Sequence, residues 1–315
     1  MREKLLDLLD EKKYISGEQI AKKLEVSRTA IWKQIKTLRE LGYKIESIKN
    51  KGYRLISRPD IPIEEEVKQG LKTKIIGKKI YYFKTLPSTN QYAKQLVKKN
   101  IDEGSIIVSD VQTMGRGRKS RTWYSPREGL WFSVVLYPNI PPQRGMLITM
   151  TTSVSVAQAI QEVTGLNPVI KWPNDLLIDG KKVCGILTEL DAEMDKINYA
   201  AIGVGINVNN PLGGDLKNKA VSLMKKTGSK ISRVKLLKSI IKHFDENYNM
   251  LNSGDTDSIR DLWFNYANII GKRVRVEGEK SAVEGVVSGV DETGCLIIKT
   301  NGGNVQVVSG DLYYL

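Results

Sequence analysis

Residues 27–57 read SRTAIWKQIKTLRELGYKIESIKNKGYRLIS. Ser27 is a helix N-cap residue, and Ile31, Ile35, Leu38 and Leu41 follow at a spacing that puts them on one helical face. The other face shows Arg28, Thr29, Trp32, Lys33 and Lys36, and Gly42 ends the helix. Two alternating segments, YKIESI and GYRLIS, are joined by the turn KNK at 49–51 and make a basic hairpin. Upstream, Ser16 with Gln19 is a capping-box pair opening a second helix around Ile20 and Leu24. Leu5, Leu6, Leu8 and Leu9 mark a first amphipathic helix. Helix, helix, recognition helix, basic hairpin is the order of a winged helix-turn-helix, whose third helix enters the major groove while the hairpin reaches phosphates.

Charge supports that reading. Residues 28–58 hold nine basic side chains against two acidic ones, which is half of the chain's net +14. A local basic block points to a polyanion. The side chains expected to face DNA are Ser27, Arg28, Thr29, Trp32, Lys33, Lys36, Lys49, Lys51 and Arg54. A helical docking module with a solvated lysine face is the alternative.

Beyond this block, 315 residues imply two or three domains. No stretch approaches the roughly 18 consecutive apolar residues of a membrane span. The start, MREKLLDLLDEKKY, mixes both charge signs among leucines and is no signal peptide, so the expected location is cytoplasmic. Cys184 and Cys295 each lie in an apolar run without a CxxC neighbour, which argues against a zinc site and a disulfide framework. The single histidine, His243, lies in the helical pattern IIKHFDENY and reads as packing. Without a catalytic histidine, chemistry here must rest on Lys, Arg, Asp or backbone groups.

SRPDIPIEEE reads as a linker. It divides a first domain, 1–60, from a central α+β region, 65–268, that mixes strands (LWFSVVLYP, KVCGILTEL, YAAIGVGINV) with helices (TTSVSVAQAIQEV, RVKLLKSIIKHFDENYNML). From 270 to 315 only short, glycine-punctuated strands remain, and a small SH3-like β-barrel fits them.

Three segments carry candidate chemistry. In QTMGRGRKSRTWYSP, 112–126, Gly115 and Gly117 free the backbone while Arg116, Arg118 and Arg121 supply three permanent cations. Such a loop suits phosphate and carboxylate oxygens, although it equally suits nucleic acid. With glycines and like charges packed together, it is expected to be loosely held without a ligand. In KWPNDLLIDGKKVCGIL, 171–187, IDGKK is a hairpin turn that can return Lys182 beside Asn174 and Asp175. In PSTNQYA, 87–93, Ser88 caps a helix, and its small hydroxyls and amide can also meet a neutral polar ligand. GVGIN, 203–207, lacks the third glycine of a dinucleotide fingerprint, since Val208 stands there.

In order, STN, GRGRxxRxW, KWPND, KVxGIL and GxGxN resemble the biotin–protein ligase family across essentially the whole chain. With the basic winged helix in front, the sequence is similar to the bifunctional form that also represses biotin genes. The resemblance implies a central mixed-sheet domain like the class II synthetases, and an ATP- and Mg²⁺-dependent activation of biotin as biotinyl-5'-AMP. It implies transfer to a lysine of the biotin carboxyl carrier protein, with operator DNA and a homodimer as further partners and no membrane role. By similarity Ser88, Thr89, Asn90, Gln112, Arg116, Gly117, Arg118 and Lys182 would hold biotin, and Arg118, Arg121, Asn174, Lys182 and Asn207 the nucleotide. Lys182, Arg116, Arg118 and Asp175 would carry catalysis, with Mg²⁺ bound through ATP and Asn174, Asp175 and Asn207 facing the nucleotide and its metal. Lys119–Ser120 stand where many relatives have a small residue or glycine. The adenine-side stretch NNPLGGDLKNKAVSL has no tryptophan to stack on the base. The strand YAAIGVGINV is the one candidate for a dimer contact.

Overall fold

The computed structural model describes residues 1–278 and 281–315, which form two compact units, Met1–Gln69 and Gly70–Leu315. In the first, α1 (Arg2–Leu8), α2 (Gly17–Leu24) and α3 (Arg28–Glu40) precede a hairpin of β1 (Lys44–Ile48) and β2 (Gly52–Ser57). Ser16 and Gln19 exchange both capping-box bonds, at 3.1 Å each, and Ser27 Oγ accepts the Ala30 amide at 3.1 Å. Leu5, Leu6, Ile20, Ile31, Ile35, Leu38 and Leu55 form the core of this small winged helix.

The segment expected to be a linker is packed instead. Helix α4 (Glu64–Lys68) buries Val67 and Glu66, and Glu66 accepts the Tyr43 hydroxyl at 2.5 Å while pairing with Arg58 at 2.8 Å. A carboxylate that collects a guanidinium and a phenol is anchored, and this sequence signal was masked by the prolines around it. Burial and the Glu66 bond push the Tyr43 phenol well above its ordinary range.

The second unit holds a seven-stranded mixed sheet. Its strands are β3 (Ile80–Phe83), β4 (Ile106–Ser109), β5 (Leu130–Leu136), β6 (Val169–Lys171), β7 (Asp175–Ile178), β8 (Lys181–Ala192) and β9 (Ile197–Ile206), in the order β3-β4-β5-β9-β8-β7-β6. Only β3 and β4 run parallel. Helix α5 (Thr89–Val97) packs on β4, β5 and β9 over Ala93, Ile107, Val135 and Ala201. Helix α6 (Gly145–Thr164), apolar nearly all round, is buried against β6, β7 and β8. Two short helices, α7 (Leu216–Lys219) and α8 (Leu223–Thr227), lead into α9 (Arg233–Asn252) and α10 (Thr256–Ala267), both packed on α6. His243 on α9 lies 2.6 Å from Glu162 of α6, a helix-to-helix tie.

Strand β9 is paired on both sides along Ala200–Ile206, so along that stretch it has no free edge for strand-to-strand pairing with a second copy. Its GVGIN string lies in strand rather than in a strand-to-helix turn, which also disposes of the dinucleotide reading. The chain ends in β10 (Arg273–Glu277), β11 (Ala282–Val290), β12 (Leu296–Thr300), β13 (Gly303–Val307) and β14 (Asp311–Tyr314), an antiparallel SH3-like sheet in the order β13-β12-β11-β10-β14. Both cysteines are buried and free. No helix of the described residues is long and apolar enough to cross a membrane.

Candidate active site

One cavity of about 630 Å³ opens over the middle of the large sheet. All twelve residues singled out for ligand chemistry line it: Ser88, Thr89, Asn90, Gln112, Arg116, Gly117, Arg118, Arg121, Asn174, Asp175, Lys182 and Asn207. They come from stretches up to 119 positions apart (Ser88 to Asn207), brought together because β5, β9 and β8 are neighbours and α5 starts at their edge.

The polar end is built at the N-terminus of α5. Ser88 caps that helix, and the Thr89 amide and hydroxyl lie 2.8 Å and 3.0 Å from Gln112 Oε1. Gln112 Nε2 donates to Ser125 Oγ at 2.9 Å. Asn90 is buried, its amide against Gly203, where a Cβ would come within 2.7 Å of Oδ1.

The charged end is built by the hairpin of β7 and β8. Asp179 and Gly180 turn it with φ of 48° and 73°, and this returns Lys182 to within 2.6 Å of Asp175. Asn174 is fixed from both sides: its Nδ2 donates to the Ile186 carbonyl at 2.7 Å, and its Oδ1 accepts from Arg118 at 3.1 Å. Asn207 is buried, with Oδ1 accepting from Asn210 at 3.1 Å.

The arginine loop crosses the cavity as a narrow ribbon. Gly115 O accepts the Trp123 amide at 2.9 Å and Gly117 N donates to Arg121 O at 2.7 Å. Lys119 and Ser120, at the tip, take left-handed φ of 52° and 57°, a conformation that glycine adopts at less cost. Three contacts tie the loop to the C-terminal sheet. Arg121 pairs with Asp311 at 2.6 Å, Lys119 with the same carboxylate at 3.3 Å, and Arg118 donates to the Gly310 carbonyl at 3.3 Å. Burial pushes the Asp311 carboxyl up, but its bonds from Arg121 and Lys119 outweigh this and hold it below the ordinary carboxylate range. Burial lowers the Arg118 pKa against the opposing pull of Asp311 and Asp175, so this guanidinium gains from an arriving anion.

The cavity floor is a seat for Trp123. Gly185 and Gly205 face each other across β8 and β9, and a Cβ on Gly205 would come within 2.3 Å of Trp123 Nε1. The Lys182 ammonium stands 5.1 Å from the Trp123 ring centroid. Sequence reasoning missed Asp311 and Trp123 as lining residues, and it named the adenine-side stretch without singling out Leu212, Leu216 and Lys219 within it. Leu212 and Leu216 supply apolar surface where no tryptophan exists to stack on a base. In all, five cations (Arg116, Arg118, Arg121, Lys182 and Lys219) face two carboxylates (Asp175 and Asp311), and the excess suits a polyanionic ligand. Among the described residues no cluster of three His, Cys, Asp or Glu side chains is placed to hold a metal.

On the winged helix, Ser27, Arg28, Thr29, Trp32, Lys33, Lys36, Lys49 and Lys51 are all exposed. Arg54 differs. It pairs with Glu46 at 2.7 Å and lies 4.8 Å from the Tyr14 ring centroid, so it braces the wing from within.

The profile of the biotin/lipoate A/B protein ligase family matches residues 82–207, that of a helix-turn-helix domain residues 2–54, and that of the biotin protein ligase C-terminal domain residues 269–313. The chain belongs to the biotin–protein ligases. It is 40% identical over 318 aligned residues to the bifunctional ligase/repressor BirA of Bacillus subtilis, covering 99% of this chain and 98% of that one. It is 26% identical to the Escherichia coli protein of the same name, over 95% of this chain and 92% of the other. Among solved structures, the biotin protein ligase from Aquifex aeolicus in complex with biotin and ATP matches 76% of this chain and 100% of its own, with a TM-score of 0.67 and 29% identity.

Proposed function

We infer that this protein is an ATP-dependent biotin–protein ligase and a biotin-responsive transcriptional repressor. The observation that carries the enzymatic half is the two-ended cavity: a neutral hydrogen-bonding end at Ser88–Asn90 and Gln112, and a cationic end at Lys182, Arg116, Arg118 and Arg121. Biotin has the same polarity, a ureido ring at one end and a carboxylate at the other. Lipoate, the other substrate class of the wider family, ends in an apolar dithiolane. That ring would strip water from the polar end and leave its groups unmatched, a penalty that separates ligands strongly.

In the first step the biotin carboxylate attacks the α-phosphorus of ATP and pyrophosphate leaves. Lys182 bridges the carboxylate and phosphoryl oxygens, and Arg116 and Arg118 offset the charge that builds there. Magnesium carried by ATP supplies further neutralisation of the phosphates. Arg121, Asn174 and Asn207 hold the nucleotide, whose base lies toward Leu212 and Leu216. In the second step the amine of an acceptor lysine, on the biotin carboxyl carrier protein, attacks the mixed anhydride and AMP leaves. That amine has an ordinary pKa of about 10.4 and must lose a proton. Asp175, 2.6 Å from Lys182, is the carboxylate at hand to orient it or take the proton. The arginine loop shields the anhydride from water.

The repressor half rests on the exposed basic face of α3 and the wing. In the cytoplasm, two copies joined as a dimer would place two such faces on an inverted-repeat operator. The adenylate, by drawing the loop arginines onto its phosphate, would favour the dimer-competent form. Incubation with ATP and either biotin or lipoate, followed by mass analysis of the bound product, tests the enzyme: biotinyl-5'-AMP is expected, and lipoyl-AMP instead would overturn the reading. Operator titration at fixed salt, with and without biotin and ATP, tests the switch. Equal affinity in both removes it.

A further inference from the structure

Behind the polar end of the cavity lies a chain of hydrogen bonds whose directions follow from which atoms can donate. It begins at Asn90. Its Nδ2 faces the Leu187 carbonyl at 3.1 Å, Glu189 Oε2 at 2.9 Å and the Ala201 carbonyl at 3.5 Å. None of these has a proton to give, so that atom must be the amino nitrogen and Oδ1 must face the other way. There Oδ1 meets Ser133 Oγ at 2.6 Å. Ser133, fully buried on β5, has one hydroxyl proton, and Asn90 Oδ1 takes it. Toward its other neighbour, Thr89 Oγ1 at 2.7 Å, Ser133 is therefore an acceptor.

The same reasoning fixes Gln112. The Thr89 backbone amide can only donate, so the atom 2.8 Å from it is Oε1. Gln112 Nε2 donates to Ser125 Oγ, whose own proton goes to the Trp123 carbonyl at 3.1 Å. Thr89 Oγ1 thus has two inner neighbours, Ser133 Oγ and Gln112 Oε1, and both ask for its single proton. Whichever receives it, the hydrogen points inward and a lone pair points into the cavity.

We propose that Ser133 and Glu189, neither of which lines the cavity, are positioning residues that set the Thr89 hydroxyl as a one-way acceptor, so that the site selects a ligand presenting an N–H there. Glu189 holds the far end of the chain. Its other oxygen is pinned by Lys94 at 2.7 Å, which keeps the carboxylate against Asn90. The inference rests on biotin being the ligand and adds which feature of its ureido ring is read, and by what.

The test compares biotin with its two isosteric cyclic carbamates, in which one or the other ureido N–H is replaced by oxygen. Adenylation is followed by pyrophosphate release, with KM and kcat separated. In the native protein, the carbamate that places oxygen against Thr89 sets lone pair against lone pair, and its KM should exceed that of biotin by about 100-fold or more. Ser133→Ala removes one of the two inward acceptors and leaves Gln112 Oε1, which also takes the Thr89 amide, as the single group holding the hydroxyl proton against a ligand that can accept it. It should raise the KM for biotin about tenfold with kcat little changed, and shrink the carbamate penalty to below about tenfold. Glu189→Met should act in the same direction more weakly, whereas Glu189→Gln, which keeps an acceptor for Asn90, should restore native discrimination. A role in packing alone would weaken both ligands together and leave their ratio intact. Should Ser133→Ala not fold, Ser133→Cys, a weaker donor of similar size, reads the same ratio. An unchanged ratio in folded variants, or equal use of biotin and both carbamates by the native protein, overturns the proposal while leaving the ligase reading standing. No turnover of biotin at all overturns both.

Discussion

Replacing Asp311 by Asn should loosen the arginine loop by an amount that can be worked out. Asp311 accepts from Arg121 at 2.6 Å and from Lys119 at 3.3 Å, and these cations are 63% and 37% exposed. Solvent-facing pairs of this kind contribute about 0.2–1 kcal/mol each, so the latch as a whole contributes about 1 kcal/mol. Against it stand two non-glycine residues held in left-handed conformation, Lys119 and Ser120, at a cost on the order of 1 kcal/mol each. Removing the charge should raise the open population of the loop about fivefold. Trypsin reads this directly, because Arg116, Arg118, Lys119 and Arg121 are its cleavage sites. At low protease, cleavage follows the open population, so Asp311→Asn should be cut in the loop about five times faster, and saturating biotin with ATP should suppress the difference. Since the folded Asp311 carboxyl lies below its ordinary range, the latch is complete above that range and is lost only as pH falls through the lowered value. The native cleavage rate, corrected for protease activity, should therefore be flat across neutral pH. Equal loop cleavage of native and variant protein would refute the latch.

Lys182→Ala should abolish adenylation while the protein stays folded, and near-normal pyrophosphate release would withdraw the lysine from the chemistry. Gly205→Ala should push Trp123 off its seat, costing about 1–3 kcal/mol of stability and weakening ligand binding, as a thermal melt with and without biotin would show. Operator affinity should fall with salt as the exposed Lys33, Lys36, Lys49 and Lys51 displace counterions, about one unit of slope for each phosphate contact. Arg54→Ala should lower the melting temperature of the first unit more than it changes that slope; the reverse would return Arg54 to the DNA face. Deleting residues 1–69, rather than 1–60, should leave adenylation measurable, because a cut at 60 strands Glu66 without Tyr43 and Arg58.

What could be read from the chain alone was whatever is settled within a few residues. Ser16, Ser27 and Ser88 announce their helices because an N-cap acts over three positions. The IDGKK turn announces the return of Lys182 toward Asp175 because a two-residue hairpin sets it opposite Leu177, two positions from that carboxylate, although the register shift between Leu176 and Leu177 was not legible. The latch was illegible, since Arg121 and Asp311 lie 190 positions apart and nothing local marks either as a partner. Ser133 was hidden in the apolar run LWFSVVL, where a lone serine looks like an accident of composition. The bracing role of Arg54 was illegible because its charge is visible in sequence and its pairing with Glu46, across the hairpin, is not.

The glycine pair beneath Trp123 has an optical consequence. Because neither Gly185 nor Gly205 lifts the indole away from the sheet, its ring lies within the ligand space, with an ammonium on one side and the Trp131 ring edge-on 6.4 Å away. Any ligand that draws Lys182 toward its own carboxylate changes the field across the excited indole. Trp123 also sits close enough to Trp131 for excitation to pass between them. Trp123 thus lines the cavity as a natural reporter, and titration with biotin and ATP should change the tryptophan emission of the native protein but not of a Trp123→Phe variant, with no label attached.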